Sequence, residues 1–164
     1  LHQVPAHGAA VLGVGAEVGM DGGADPENRG PMRWDLVKAD NPELLWMKQL
    51  IALRKQHRAL RVGDYRPVEA QRLFAFERHT DRALDTRIVV VNPGNQTVRE
   101  RLLVANAQLM DDTPMVDVLG LVPNPQPMGF GPGFITVEVP PQGVLVLKPQ
   151  PKQLGGYTRY KRVP

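Results

Sequence analysis

The sequence predicts a mainly β protein, an antiparallel Greek-key β-sandwich that follows one long helix. Among the 164 residues are 16 glycines and 16 prolines, while only 5% are aromatic. This composition favours many short strands and turns over a helical bundle. After residue 63 the hydrophobic side chains alternate with a period of two, which is typical of half-buried strands. Before that point, one segment repeats its hydrophobic side chains at helical spacing.

The N-terminal segment, residues 1–24, is rich in glycine, alanine and valine. Within it, Val11–Val14 could form a short buried strand, although the neighbouring glycines weaken this interpretation. Alone, such a strand has nothing to pack against. We therefore expect it to belong to a larger neighbouring part, or to be a disordered lead-in. Because the first residue is leucine and not methionine, we also expect that a preceding part has been removed.

Residues 21–35 combine charges, prolines, glycines and a tryptophan, and they predict a constrained surface loop. Met32 and Trp34 are too apolar to be simply left in water. One interpretation is that both side chains anchor the loop on a core. The other is that Trp34 provides a flat platform on which a sugar ring can stack.

The helix signal begins at Asn41 as the N-cap, with Pro42 at the first helical position and Glu43 in the first turn. The helix is predicted to run to about Leu60. Its apolar stripe is formed by Trp46, Leu50, Leu53, His57 and Leu60, and it is widened by Leu44, Met47 and Ile51. We expect His57 to fill the end of this stripe, because no second histidine or carboxylate is spaced to join it as a ligand.

Seven short strands are predicted beyond the helix. They are Tyr65–Val68, Leu73–Arg78, Ile88–Asn92, Val98–Val104, Met115–Leu119, Phe134–Val139 and Val144–Lys148. Glycine and proline turns at residues 93–95 and 140–143 separate several of them. Residues 121–133 contain many glycines and prolines and predict a long loop. Residues 150–164 predict a tail.

Several classes of function do not fit the composition. The net charge of +3 is mild, and the one dense basic cluster lies at Arg159–Arg162 near the end of the chain, so no nucleic-acid partner is expected. No apolar run approaches the ~18 residues of a membrane span, so no membrane association is expected. There is no cysteine, and no residue set predicts a metal or another cofactor. The compartment stays open between cytoplasm and periplasm.

Three motifs follow one another before the helix: Gly15-Ala-Glu-Val-Gly-Met20, Asp25-Pro-Glu-Asn-Arg29 and Pro31-Met-Arg-Trp-Asp35. The helix then carries Leu50-Ile-Ala-Leu-Arg54, and Leu73-Phe-Ala-Phe-Glu-Arg78 follows it. In this order they resemble the C-terminal third of the α-amylase family of glycoside hydrolases, especially its neopullulanase, cyclomaltodextrinase and α-glucosidase-like branches. The resemblance covers residues 11 to about 148.

The resemblance implies three parts. Residues 1–61 would be a remnant of the catalytic barrel, namely the last strand, loop and helix of a (β/α)8 barrel, which needs about 250 residues in total. Residues 62–149 would be the C-terminal β-sandwich domain, and residues 150–164 a tail. The missing barrel domain would pack on the helix face from Trp46 to Leu53. In its absence, this face could lead to self-association.

The resemblance also implies where the chemistry lies. Retaining glycoside hydrolysis needs a carboxylate nucleophile and a second carboxyl group about 5 Å away. In the family these groups come from earlier barrel strands, so no catalytic residue is expected here and the chain alone should be inactive. Its own candidate acids, which are crowded in one loop, are Glu17, Asp21, Asp25, Glu27 and Asp35. The parent enzyme is expected to be a retaining α-glycosidase or transglycosidase.

Asp25 and Arg29 match family positions that hydrogen-bond sugar hydroxyls, so the resemblance implies that they bind an α-glucan or maltooligosaccharide in the parent enzyme. The chemistry suits this role, because a carboxylate accepts hydrogen bonds from vicinal hydroxyls and a guanidinium donates in a planar fork. The alternative is a surface ion pair without a ligand.

A different class of function also stays open. The chain could be a non-catalytic carbohydrate-binding or structural β-sandwich module, which would bind sugar by stacking on exposed aromatic rings. The candidates for such stacking are Tyr65, Phe130, Tyr157 and Tyr160.

Overall fold

The computed structural model describes residues 15–26, 29–109, 111–121 and 128–150. The chain divides into two compact units, Leu1–Gln56 and His57–Pro164. Several predictions lie outside the described residues: the strand at Val11–Val14, the acid Glu27, the basic cluster Arg159–Arg162, the aromatic candidates Tyr157 and Tyr160, and the tail beyond residue 150. The predicted domain boundaries stay a prediction.

The first unit begins with a tight turn at Gly15–Met20. A short 3-10 helix spans Ala16–Val18, and both flanking glycines have left-handed backbones, with φ of 80° at Gly15 and 75° at Gly19. A Cβ atom at Gly15 would lie 2.1 Å from the Met20 sulfur. The left-handed backbone at position 15 favours glycine, and a larger residue there would also force the Met20 side chain to move.

Helix α1 spans Pro42–Gln56, and its predicted start is confirmed. The Asn41 side-chain oxygen accepts a hydrogen bond of 2.9 Å from the Leu44 amide, as an N-cap residue does. The same side chain donates through its nitrogen to the carbonyls of Leu36, at 2.9 Å, and Val18, at 3.2 Å. Asn41 thus joins the start of α1 to the 3-10 turns at Ala16–Val18 and Trp34–Leu36.

The apolar stripe of α1 is only partly covered in this chain. Leu53 is buried, whereas Ile51 is 46% exposed, and Leu45, which lies outside the predicted stripe, is 50% exposed. Trp46 is half-buried. A hydrophobic helix face of this kind normally packs against another surface.

The predicted end of the helix was wrong. Helix α1 stops at Gln56, and a second helix, α2, spans Arg58–Val62. Between them His57 has an extended backbone, with φ of −109° and ψ of 108°. An extended residue cannot continue the i to i−4 ladder. The apolar repeat at His57 and Leu60 therefore spans a break and is not one continuous stripe.

The second unit contains an antiparallel sheet, as predicted for the fold class, but it has eight strands where seven were predicted. Its strands are β1 Asp64–Val68, β2 Phe74–His79, β3 Arg87–Val91, β4 Val98–Leu103, β5 Thr113–Asp117, β6 Met128–Gly131, β7 Phe134–Val139 and β8 Val144–Pro149. The strand order is β1-β2-β3-β8-β5-β6-β7-β4. Because β3 and β4 are consecutive in sequence but far apart in this order, the connection crosses over as in a Greek key.

One hydrophobic core unites strands that are far apart in this order. It includes Ile88 and Val90 from β3 together with Ile135 and Val137 from β7, all of them almost completely buried. Side chains from such distant strands can share a core only if the sheet curves and its two halves face each other. Each fully buried side chain of this size contributes about 1.5–3 kcal/mol by leaving water.

The prediction of a loop over all of residues 121–133 was wrong for β6. Phe130 pairs with Thr113 of β5 and with Ile135 of β7, so Met128–Gly131 fills a place between two strands. This strand has only four residues and two of them are glycines, so its sequence carries a weak strand signal. Its neighbours in the sheet supply the pairing that local propensity does not.

Candidate functional site

Asp25 and Arg29, the two predicted substrate-binding residues, are in direct contact. Arg29 Nη2 donates a hydrogen bond of 2.8 Å to Asp25 Oδ2, and both side chains are more than half exposed. An ion pair so accessible to water contributes under about 1 kcal/mol to stability. The structure brings these residues together on the surface, and their role toward a sugar stays a prediction.

A second ion pair in the same loop was not singled out from the sequence. Arg33 donates to Asp35 through two parallel bonds, Nε to Oδ1 at 2.9 Å and Nη2 to Oδ2 at 2.5 Å. These bonds lower the pKa of Asp35 below its ordinary range and raise the pKa of Arg33. Asp35 therefore stays ionised near neutral pH and is poorly suited to be a general acid. The sequence signal that could have indicated this ion pair is the placement of a basic and an acidic residue on either side of Trp34.

Trp34 lies between the two members of this pair. Its side chain is 75% exposed, so the interpretation that Trp34 anchors the loop on a core was wrong for this unit. The neighbouring 3-10 helix, Trp34–Leu36, is short and presents the ring outward. Met32 is half-buried and is the better anchor of the two. An exposed indole remains available to a ligand or to another protein surface.

The candidate acids that the structure describes have different surroundings. Asp25 and Asp35 each bind their own arginine, Glu17 is half-buried, and Asp21 is exposed. Across residues 15–26, 29–109, 111–121 and 128–150, no group of three metal-ligating side chains lies close enough to hold a metal ion. In the same ranges, every helix is too short or too polar to cross a membrane.

The two aromatic candidates of the alternative hypothesis that the structure describes, Tyr65 and Phe130, are arranged unfavourably for stacking. Phe130 is fully buried in the core, so it cannot receive a sugar. Tyr65 is half-buried, and its ring lies 5.5 Å from that of Phe76. Phe74, which the hypothesis did not include, is 43% exposed. The rings of Tyr65 and Phe74 each lie against the buried ring of Phe76.

Comparison with known proteins gives consistent likenesses. The chain is 50% identical over 64 residues to a cyclomaltodextrinase of Geobacillus thermopakistaniensis (strain MAS1), which covers 39% of this chain and 11% of the relative. It is 38% identical over 95 residues to a cyclomaltodextrinase of a Bacillus species, which covers 56% of this chain and 17% of the relative. A solved cyclomaltodextrinase structure shares 28% identity at a TM-score of 0.59, over 82% of this chain and 22% of that one. No family model matches the sequence.

The antiparallel fold and these likenesses first indicate a class: the chain is similar to a β-rich part of glycoside hydrolases. More particularly, it is similar to enzymes of the α-amylase family, and its eight-stranded sheet matches the β-rich C-terminal domain of those enzymes. The chain spans only 11% and 17% of the length of the two curated relatives.

Proposed function

We propose that this chain is the end of the catalytic barrel and the C-terminal β-sandwich of an enzyme that acts on α-glucosidic bonds. The substrates would be starch-like or maltooligosaccharide-like, and the reaction hydrolysis or transfer with retention. The observation that carries this proposal is the 50% identity over 64 residues to a cyclomaltodextrinase.

In this proposal the catalytic carboxylates belong to other parts of the parent enzyme. A retaining mechanism needs two carboxyl groups about 5 Å apart, one of them able to hold a proton. The two acids of the loop whose partners are known, Asp25 and Asp35, are each tied to an arginine. A carboxylate in such a pair favours its ionised form. The chain by itself would therefore be inactive.

The proposed contribution of this chain to the substrate cleft is the pair of Asp25 and Arg29. Their contact uses a single guanidinium nitrogen, Nη2, whereas a guanidinium has five N–H donors. Both side chains are exposed, so a sugar could take the place of water without first breaking a buried interaction. The pair would hold the guanidinium in a fixed orientation for neighbouring hydroxyls.

The proposed partner of α1 is the rest of the barrel. The face from Trp46 to Leu53 includes Ile51, which is 46% exposed, and a hydrophobic helix face normally packs against another surface. In the parent enzyme the face from Trp46 to Leu53 would be covered by the missing strands and helices. In the isolated chain, the same surface would favour self-association.

A chimeric enzyme tests the proposal. This chain replaces the matching segment of the Geobacillus cyclomaltodextrinase, and hydrolysis of maltooligosaccharides is measured for the chimera and for the chain alone. We expect an active chimera and no hydrolysis by the chain alone. A folded chimera without activity contradicts the assignment, and hydrolysis by the isolated chain contradicts the proposed location of the carboxylates.

A further inference from the structure

His57 marks the start of α2 and makes a specific contact within the second unit. Arg87 Nη2 lies 2.9 Å from His57 Nδ1. Arg87 is the first residue of β3 and is almost completely buried. The histidine is half-buried. A residue expected only to fill an apolar stripe is thus hydrogen-bonded to a buried cation.

The chemistry of the two groups determines where the proton lies. A guanidinium has donors only and stays protonated in proteins, so His57 Nδ1 must be the acceptor. The imidazole is therefore neutral and carries its hydrogen on Nε2. Arg87 is also held by its own bonds from Nη1 to the carbonyls of Leu84, at 2.9 Å, and Thr86, at 2.6 Å. It cannot easily turn away if His57 gains a proton.

The surroundings of His57 disfavour protonation of its imidazole. Burial lowers the pKa of His57 most, and the positive charges of Arg87 from β3 and Lys148 from β8 lower it further. Asp85 offsets part of the charge of Arg87. However, this carboxylate also binds Arg58 at 3.2 Å. A proton on Nδ1 would face an N–H group and would add a third positive charge.

The segment that begins at His57 packs against β2. The Ala59 carbonyl accepts hydrogen bonds from the Gly63 amide at 2.9 Å and from Arg78 Nε at 3.4 Å. A Cβ atom at Gly63 would lie 2.6 Å from that carbonyl oxygen and 2.8 Å from the His79 carbonyl oxygen. The C-terminal end of α2 is therefore closely packed, and the His57 contact holds its N-terminal end.

We propose that His57 and Arg87 form a pH-sensitive clasp that holds the start of α2 on β3 while His57 is neutral and opens when His57 is protonated. The clasp lies within the second unit and is independent of the proposed enzymatic function. Acidification would loosen the first turn of α2, where the Leu60 amide bonds to the His57 carbonyl at 3.1 Å. The proton that enters comes from solvent and binds at Nδ1.

Histidine NMR and amide hydrogen exchange on the full 164-residue chain test the clasp. At pH 8 we expect the Nε2–H tautomer at His57, and a titration midpoint below that of an unperturbed histidine. Exchange of the Leu60 amide, corrected for its intrinsic pH dependence, should accelerate at least tenfold through the same midpoint. An Nδ1–H tautomer at pH 8, or an ordinary midpoint, would overturn the proposal without any variant.

Two substitutions sharpen the test. In His57→Asn the amide oxygen can take the place of Nδ1 as an acceptor but does not titrate, so corrected exchange should become independent of pH between 5 and 8. In Lys148→Gln one positive charge is removed, so the midpoint of His57 should rise. If the wild type and His57→Asn show the same acceleration in acid, the clasp does not exist.

Discussion

The side-chain amide of Asn106 donates a hydrogen bond to Glu77 Oε1 inside the β unit, where the carboxylate has no exposed surface. The same amide lies 3.3 Å from the Thr86 hydroxyl, and Arg66 Nη1 lies 3.7 Å from Glu77 Oε2. A buried carboxylate is costly unless donors and a counter-charge surround it. Asn106, which follows β4, is thus tied by charge-assisted bonding to β2.

We predict that Asn106→Ala destabilises the chain by about 2–3 kcal/mol, because it removes a hydrogen bond to a charged group and leaves a buried carboxylate oxygen unsatisfied. Guanidinium denaturation of the wild type and the variant measures the change. Gln108→Ala, at an exposed position of the same segment, should change stability by less than about 0.5 kcal/mol. Equal stability of all three proteins would show that this bond contributes nothing.

We predict that His57 makes stability depend on pH. Its pKa is lowered in the folded chain, so between that value and the ordinary histidine value of about 6.5 the unfolded chain binds more protons. The free energy of unfolding should therefore decrease as the pH falls through this window, and the loss should be complete below it. Denaturation curves from pH 5 to 8 measure the effect, and the difference between wild type and His57→Asn isolates it.

We predict that Arg29→Gln in the active chimera lowers kcat/KM for maltooligosaccharides about 10- to 100-fold. The reason is the loss of one charged hydrogen bond to a sugar hydroxyl, worth about 1.5–3 kcal/mol. Stability should change by under about 1 kcal/mol, because the ion pair with Asp25 is exposed. Asp21→Asn, on an exposed acid of the same segment, serves as the control. Unchanged kinetics in Arg29→Gln would remove these residues from the cleft.

We predict that the variant Ile51→Lys reduces self-association of the isolated chain. The Ile51 side chain exposes 46% of its surface, and lysine keeps the helix propensity while it removes the apolar contact. Sedimentation velocity over a range of concentrations measures the change, with Lys48→Gln on the same helix as the control. A wild-type chain that stays monomeric at every concentration would contradict the prediction.

We predict that Asn41→Ala costs at least about 1 kcal/mol, the typical value for the loss of an N-cap. The cost should exceed that of Asn41→Asp, which keeps the oxygen that caps Leu44 but lacks the donor to Leu36 and Val18. Circular dichroism during urea titration measures both variants. If Asn41→Asp is as unstable as Asn41→Ala, the cap itself is not the stabilising contact.

The sequence by itself determined the features that depend on neighbours along the chain. The start of α1 at Asn41 and Pro42 follows from local capping chemistry and was predicted correctly. The strand Phe134–Val139 was predicted with its observed bounds, because alternation alone indicates a half-buried strand. The contact of Asp25 and Arg29 was an open alternative, and their separation of four residues allows it.

Only the tertiary structure decided what depends on partners far away in sequence. Met128–Gly131 becomes a strand because β5 and β7 flank it, and the helix breaks at His57, where the imidazole meets Arg87, 30 residues further along the chain. Glu77 shares a face with Leu73 and Ala75 by alternation, yet the donors that make its burial tolerable come from other segments. Local patterns carry the period of a strand or helix, whereas long-range pairing and the desolvation of charge depend on the folded neighbours.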